Sequence, residues 1–353
     1  MSMVKPVGGV ALFVLLLTGS KLPVVEYAPG TEYEETALAA VTSRMANEGF
    51  DRVFQKRQRI DLDQPYGKIS ALVGDGQENV WLFDYENVVL KKYSRTGRLL
   101  LRLTKLGAAE HGQDVFGVVG GLACDSHGNL YIASSTKRIT VLNSDGHYLR
   151  SFVVTTPALA APLSLALDEQ RGILYVSGAL NSSGQVVHKY RIEDWKYLGA
   201  FLDIPTEVQR KNLINYNTSF IDTDIRGKVF ATHQVVHQLF RYDPISQKVQ
   251  AFSGQSGYYR APPDLSQVAQ ADLFKQQNQW SRLGRVWVIQ HRVVVAILQP
   301  SPAKYLLELY SLDGRLLVTD LTTPLTPVGR DAGGHLYFYD EDHPIALLQY
   351  KMN

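Results

Sequence analysis

Residues Gly121–Phe152 read GLACDSHGNLYIASSTKRITVLNSDGHYLRSF, and the pattern is that of four short strands in succession. Alternation and turn residues predict strands at Leu122–Asp125, Leu130–Ala133, Ile139–Asn143 and Tyr148–Val153. Between them lie Ser126-His127-Gly128-Asn129 and Ser144-Asp145-Gly146. Glycine supplies the positive φ a tight turn needs, and aspartate or asparagine caps it. A four-stranded antiparallel unit cannot bury both faces by itself, so further copies are expected.

They are present on both sides. Lys68–Leu103 carries the same order of strand, turn and strand, and Pro162–Leu202 and Thr218–Ser253 follow the lead copy. Leu283–Leu321 is more divergent, and Thr326–Met352 is short, with three strands. Units of this kind recurring at roughly 40–50 residues are of propeller-blade length. The missing strand has a counterpart at the other end of the repeats, where Val53–Leu62 (VFQKRQRIDL) alternates as an exposed strand. The expected fold is therefore all-β: a six-bladed β-propeller of four-stranded antiparallel blades. The N-terminal strand would close the ring and so protect a sheet edge. Lys56, Arg57 and Arg59 on that strand read as edge guards rather than an anion site.

The lead unit resembles an NHL repeat, through Gly121-Leu122-Ala123-Cys124-Asp125-Ser126-His127-Gly128-Asn129-Leu130-Tyr131-Ile132-Ala133, then Ile139-Thr140-Val141-Leu142 and Ser144-Asp145-Gly146. The likeness is looser in the first, third and sixth units. The fourth keeps one glycine in Ile225-Arg226-Gly227-Lys228, and the fifth keeps none in Gln290-His291-Arg292. Propellers of this type include enzymes, sensors and scaffolds, so the resemblance implies a fold and no activity.

Residues 1–27 read as a signal peptide or N-terminal anchor. Lys5 precedes the apolar run Val7–Leu17, which is shorter than the ~20 residues a membrane-spanning helix needs. Leu17-Thr18-Gly19-Ser20 resembles a lipoprotein cleavage box with serine in place of the lipidated cysteine. The expectation is export to the periplasm or extracellular space, with membrane contact only through this segment. Residues 28–52 read as a linker or short helix, and 53–353 as the propeller.

Composition excludes several classes. The 36 basic and 34 acidic residues give a net charge of +2, which is no nucleic-acid footprint. The single cysteine, Cys124, permits no intrachain disulfide and reads as a buried apolar residue. No Ser-His-Asp order, phosphate-binding glycine loop or HExxH motif occurs.

Candidate site residues fall on the loops joining second to third strands and on those joining blades. A ligand-binding face there would include Tyr85, Glu86, His111 and Lys137, with Tyr258, Tyr259, Arg260 and Trp280 from the long segment Gly254–Ser281. Aromatic and Arg side chains are favoured at binding hot spots, and packing of the insertion on the propeller would use the same residues. Within that segment, Asp264 is expected to cap a short helix between blades 4 and 5. Asp340, Asp342 and His343 form a polar turn before Pro344, whose carboxylates are also of the kind that hold a divalent cation. His233 to His237 falls among the loops joining second to third strands; on a strand the two histidines would lie ~13 Å apart by strand rise, too far for a helical metal pair. First-strand positions nearest a central channel are mostly small or apolar (Ala71, Gly121, Ala123, Leu163, Leu165), with Ser219, Asp222 and Arg330 the polar exceptions.

Two functions fit. One is a non-catalytic extracytoplasmic binding propeller that presents inter-blade loops to a protein or small-molecule ligand. The alternative is a metal-dependent enzyme, lactonase-like or lyase-like, with a cation in the channel held by Asp222 and residues of the Asp340–His343 turn. No other cofactor is expected.

Overall fold

The aspartates at the first turn of every repeat but the fifth act as turn caps. Asp125 accepts the N–H groups of His127 and Asn129 at 3.0 and 2.8 Å, and Asp75 those of Gln77 and Asn79 at 2.9 Å each. Asp224 does the same for Arg226 and Lys228, and Asp331 for His335. Glycine takes the positive φ in three of these turns, at Gly128, Gly227 and Gly334. In the first repeat a non-glycine, Glu78, takes it at φ 61°, and in the fifth Gln290 does so at φ 53°. These caps set the hairpins on which the rest of the fold is built.

The computed structural model describes residues 49–66, 68–104, 118–156, 159–180, 184–268, 272, 274–300, 305–341 and 343–353. Residues 1–27, expected as a signal or anchor, residues 28–48, expected as a linker or short helix, His111 and Asp342 lie outside the described residues.

Strand β1 (Phe54–Asp61) precedes a first sheet of β2 (Ile69–Gly74), β3 (Val80–Asp84), β4 (Val89–Tyr93) and β5 (Leu99–Leu103). Next come β6 (Val119–Cys124), β7 (Leu130–Ser134), β8 (Arg138–Leu142) and β9 (Tyr148–Val153). The third set is β10 (Leu159–Asp168), β11 (Ile173–Leu180), β12 (Gln185–Arg191) and β13 (Tyr197–Asp203). The short helix α1 (Thr206–Arg210) then leads to β14 (Ser219–Thr223), β15 (Val229–His233), β16 (Val236–Asp243) and β17 (Lys248–Ser253). A fifth set comprises β18 (Arg282–Ile289), β19 (Arg292–Leu298), β20 (Tyr305–Ser311) and β21 (Leu316–Thr323). The last strands are β22 (Thr326–Arg330), β23 (His335–Tyr339) and β24 (Ala346–Met352).

Four of these sets are separate four-stranded antiparallel sheets in chain order. The first and last merge into one eight-stranded sheet, because β2 pairs parallel with β22 through Leu72↔Gly329 and Val73↔Arg330. At its far edge β1 pairs antiparallel with β24 from Phe54↔Met352 to Asp61↔Ala346, with a bulge between Lys56 and Gln58. Lys56, Arg57 and Arg59 lie exposed on this outermost strand.

The innermost strands β2, β6, β10, β14, β18 and β22 touch one another in that order, and β22 returns to β2. Glycine allows the approach. A Cβ on Gly329 would lie 2.2 Å from the Leu72 carbonyl oxygen, and one on Gly121 would lie 2.9 Å from that of Leu163. Hydroxyl groups stitch neighbouring inner strands: Ser70 Oγ donates to Val119 O at 2.7 Å and Thr223 Oγ1 to Leu167 O at 2.9 Å. Between sheets, apolar clusters fill the space, with Trp81, Phe83, Leu90 and Ile132 packed between the first two. This radial stacking of antiparallel sheets is a β-propeller architecture.

His233 and His237 lie on different strands: β15 ends at His233 and β16 begins at Val236, joined by a turn at Gln234-Val235. One expectation is corrected. In the insertion, Asp264 Oδ1 accepts the Ser266 N–H at 2.9 Å, but a turn follows from Leu265 to Val268. Among the described residues of the insertion, Asp272 is helical and a 3₁₀ helix runs over Phe274–Gln279.

Candidate functional site in the central channel

The inner strands enclose a cavity of about 500 Å³. It reaches Leu72–Gly74 on β2, Gly121–Cys124 on β6 and Asp222–Thr223 on β14, and it opens among the first-turn residues Asp168, Asp224 and Asp331. It therefore faces the end of the propeller that carries the turns between first and second strands.

At its inner end lies Arg285, on β18. Its Nη2 donates to the backbone carbonyls of Ser70 on β2 and Gly120 on β6, so the side chain reaches across the channel. The guanidinium also lies 5.7 Å from the centroid of the Phe220 ring. Burial pulls its pKa down to about 10, since a charge leaving water loses solvation.

On the wall, Arg330 donates from Nε and Nη2 to the Asp222 carboxylate at 2.6 and 2.7 Å. Val288 N–H donates to Asp222 Oδ2 at 2.8 Å. Burial lowers the Arg330 pKa, and the charge of Asp222 more than restores it.

The carboxylates at the mouth are already engaged. Asp168 holds Arg171 at 2.9 Å, Asp224 caps its own turn, and Asp331 accepts from Tyr337 and Gln349 as well as His335. Glu169 accepts from Ser126 of the neighbouring sheet. Among the described residues no group of three or more His, Cys, Asp or Glu side chains is disposed to hold a metal ion. With both oxygens of Asp222 taken by Arg330, the channel is a poor fit for a cation.

Cys124 lines the cavity and is half-buried rather than wholly enclosed. Burial pushes its thiol pKa well up, with Asp75 and Asp125 adding to the effect.

The other residues expected at a site are dispersed. Asp222 lies near the β14 end that faces the cavity mouth, whereas Asp340 and His343 lie on the β23–β24 turn at the opposite end of the inner strands. There His343 Nδ1 and Asp340 Oδ2 are 3.0 Å apart. Tyr85 and Glu86 occupy the β3–β4 turn and Lys137 the β7–β8 turn, also at that opposite end. Tyr259 stacks on His237 with centroids 4.1 Å apart, and Trp280 is buried edge-on against Tyr216. Tyr258 is 67% exposed. Arg260 exchanges backbone and hydroxyl hydrogen bonds with Ser281 and lines an open hollow with Pro263 and Pro300.

Sequence reasoning singled out Asp222 and Arg330 as polar residues of the inner strands but missed Arg285. The one available signal was an arginine within the apolar run that opens the fifth repeat.

No protein-family profile matches the chain, and no match is found among curated proteins. Solved structures share the fold. A member of the DUF4221 family from Bacteroides vulgatus superposes with a TM-score of 0.59 at 9% identity, over 86% of this chain and 99% of that one. A putative exported protein from Bacteroides fragilis gives 0.57 at 10% identity, over 86% and 96%. Virginiamycin B lyase from Staphylococcus aureus gives 0.52 at 12% identity, over 82% and 83%. Likeness at these identities is likeness of fold.

Proposed function

We propose that this chain is an exported, six-bladed propeller of NHL-like repeats, closed by its N-terminal strand, that works as a binding module. The ligand enters the central channel from the end bearing the first turns. Closure is supported by the β1–β24 pairing together with the return of β22 to β2. Export is supported by the apolar segment at residues 7–17 and by likeness to a Bacteroides protein described as exported. No helix among the described residues is long and apolar enough to cross a membrane.

One observation carries the binding reading. The channel holds a shaped cavity whose carboxylates already serve the protein, while Arg285 at its inner end keeps donors to spare. A lactonase-like or lyase-like enzyme needs oxygen ligands free to hold its cation, and Asp222 is committed to Arg330. The test is elemental analysis of the purified full chain, with thermal unfolding before and after chelator. The binding reading expects no stoichiometric cation and an unchanged melting temperature. A stoichiometric cation whose removal lowers the melting temperature would favour the enzyme.

A further inference from the structure

Two cations line the channel cavity among the described residues, and they differ in one respect. Arg330 is matched by Asp222. Among the described residues Arg285 has no carboxylate within ion-pair distance, and only its Nη2 finds protein acceptors, both neutral carbonyls. Its Nε and Nη1 donate to nothing in the described protein. Arg285 is partly exposed at the cavity, and an anion beside it would form charge-assisted hydrogen bonds with the spare donors.

We propose that the channel binds a small monocarboxylate with an apolar body, its carboxylate accepting from one of the spare donors of Arg285, Nε or Nη1. The inference rests on the binding reading above and names the ligand class. The walls supply the apolar part through Leu72, Leu122, Leu165, Phe220 and Val286, and the volume lies within the ~300–1,000 Å³ usual for small-molecule sites. The charge balance sets the valence. With Arg330 neutralised by Asp222, Arg285 is, among the described residues, the one unpaired positive charge at the cavity's inner end, matched by a single negative charge on the ligand. The mouth is rimmed by Asp168, Asp224 and Asp331, which would repel a multiply charged anion such as a phosphate ester.

The test compares 3-phenylpropionate with the neutral 3-phenylpropanamide by calorimetry on the full chain, in wild type and in Arg285→Met. The expected result is saturable binding of the acid, weaker by about tenfold or more for the amide, with the acid's advantage lost in the variant. Equal binding of acid and amide overturns the carboxylate inference and leaves the channel standing as a ligand site. Binding of neither, up to the solubility limit, overturns both. If Arg285→Met fails to fold, crystals of wild type with 3-(4-bromophenyl)propionate decide by the anomalous bromine signal. A carboxylate on Arg285 supports the proposal, and an acid bound elsewhere overturns it.

Discussion

Arg330 and Asp222 form a two-pronged ion pair, with Nε and Nη2 at 2.6 and 2.7 Å from the carboxylate oxygens, joining β22 to β14 past the intervening β18. The backbone N–H of Val288, on β18, binds the same carboxylate. One aspartate therefore ties three blades. Arg330→Met should destabilise by roughly 2–3 kcal/mol, somewhat below the range for fully buried pairs because the arginine is partly exposed. The double variant Arg330→Met/Asp222→Asn should lose less than the sum of the two single changes. Denaturant unfolding of the four proteins measures the coupling, and strict additivity would deny it.

A second pair latches the segment after β1 to the first blade. Lys91 Nζ lies 2.9 Å from Asp63 Oδ1, with the lysine side chain wholly buried and the aspartate 31% exposed. Tyr66 and Tyr93 bond to the same carboxylate. Burial tends to raise the Asp63 pKa, but the bonds from Tyr93 and Lys91 outweigh it and hold it low. Asp63→Ala strands a buried ammonium, whereas Lys91→Met leaves a carboxylate that water still reaches. The aspartate variant should be the less stable by at least 1 kcal/mol, on the asymmetry of breaking a buried pair at about 3–5 kcal/mol. Equal losses in chemical denaturation would contradict the latch.

Acid should unfold the protein partly through two histidines. His233 and His188 are both held neutral by burial, their pKa values pulled down to about 4. Asn217 Nδ2 donates to His233 Nδ1 at 3.1 Å, fixing that nitrogen as an acceptor. The unfolded chain, with ordinary histidine near ~6.5, binds more protons between the two values, so stability falls as pH drops from about 6.5 toward 4. His233→Gln should flatten that decline in a melting-temperature series. An unchanged slope would show that His233 does not contribute.

Glycine at the hub is a steric requirement. Gly329→Ala puts a methyl group against the Leu72 backbone and should cost about 1–3 kcal/mol, as overpacking does. Gly76→Ala meets nothing within 4 Å and has no positive φ, so it should stay within about 0.5 kcal/mol of wild type. Thermal unfolding of the two variants gives the comparison, and similar values would contradict the close approach of β22 to β2.

Much of this was legible in the sequence, because the strand-turn-strand code is local. Asp125, Asp224 and Asp331 cap their turns with neighbours two to four residues away, so the repeat shows in any window of that length. Asp222 and Arg330 stood out as polar residues on otherwise apolar inner strands. Arg285 did not, since its role depends on carbonyls 215 and 165 residues distant. Its repeat also lacks the aspartate-glycine turn that would have fixed its register. The exact place of the Gln234-Val235 turn within His233–His237 was hidden for a similar reason. The turn contains no glycine or asparagine and is held by bonds to Thr218 and Leu283. The insertion has helix-forming composition, yet Ser266 and Val268 spend their N–H groups on turns.

The chain carries its own reporter for the channel. Cys124 is its single cysteine and lines the cavity, so alkylation by N-ethylmaleimide reads whether the channel is open and whether it is filled. The raised thiol pKa makes the reaction slow but measurable by intact mass at mildly alkaline pH. Modification of the folded wild-type chain should be complete and single. It should slow by about tenfold when 3-phenylpropionate is present at about ten times its dissociation constant, as mass action requires. A thiol that reacts only on unfolding, or at the same rate with and without the acid, would contradict a ligand site in the channel.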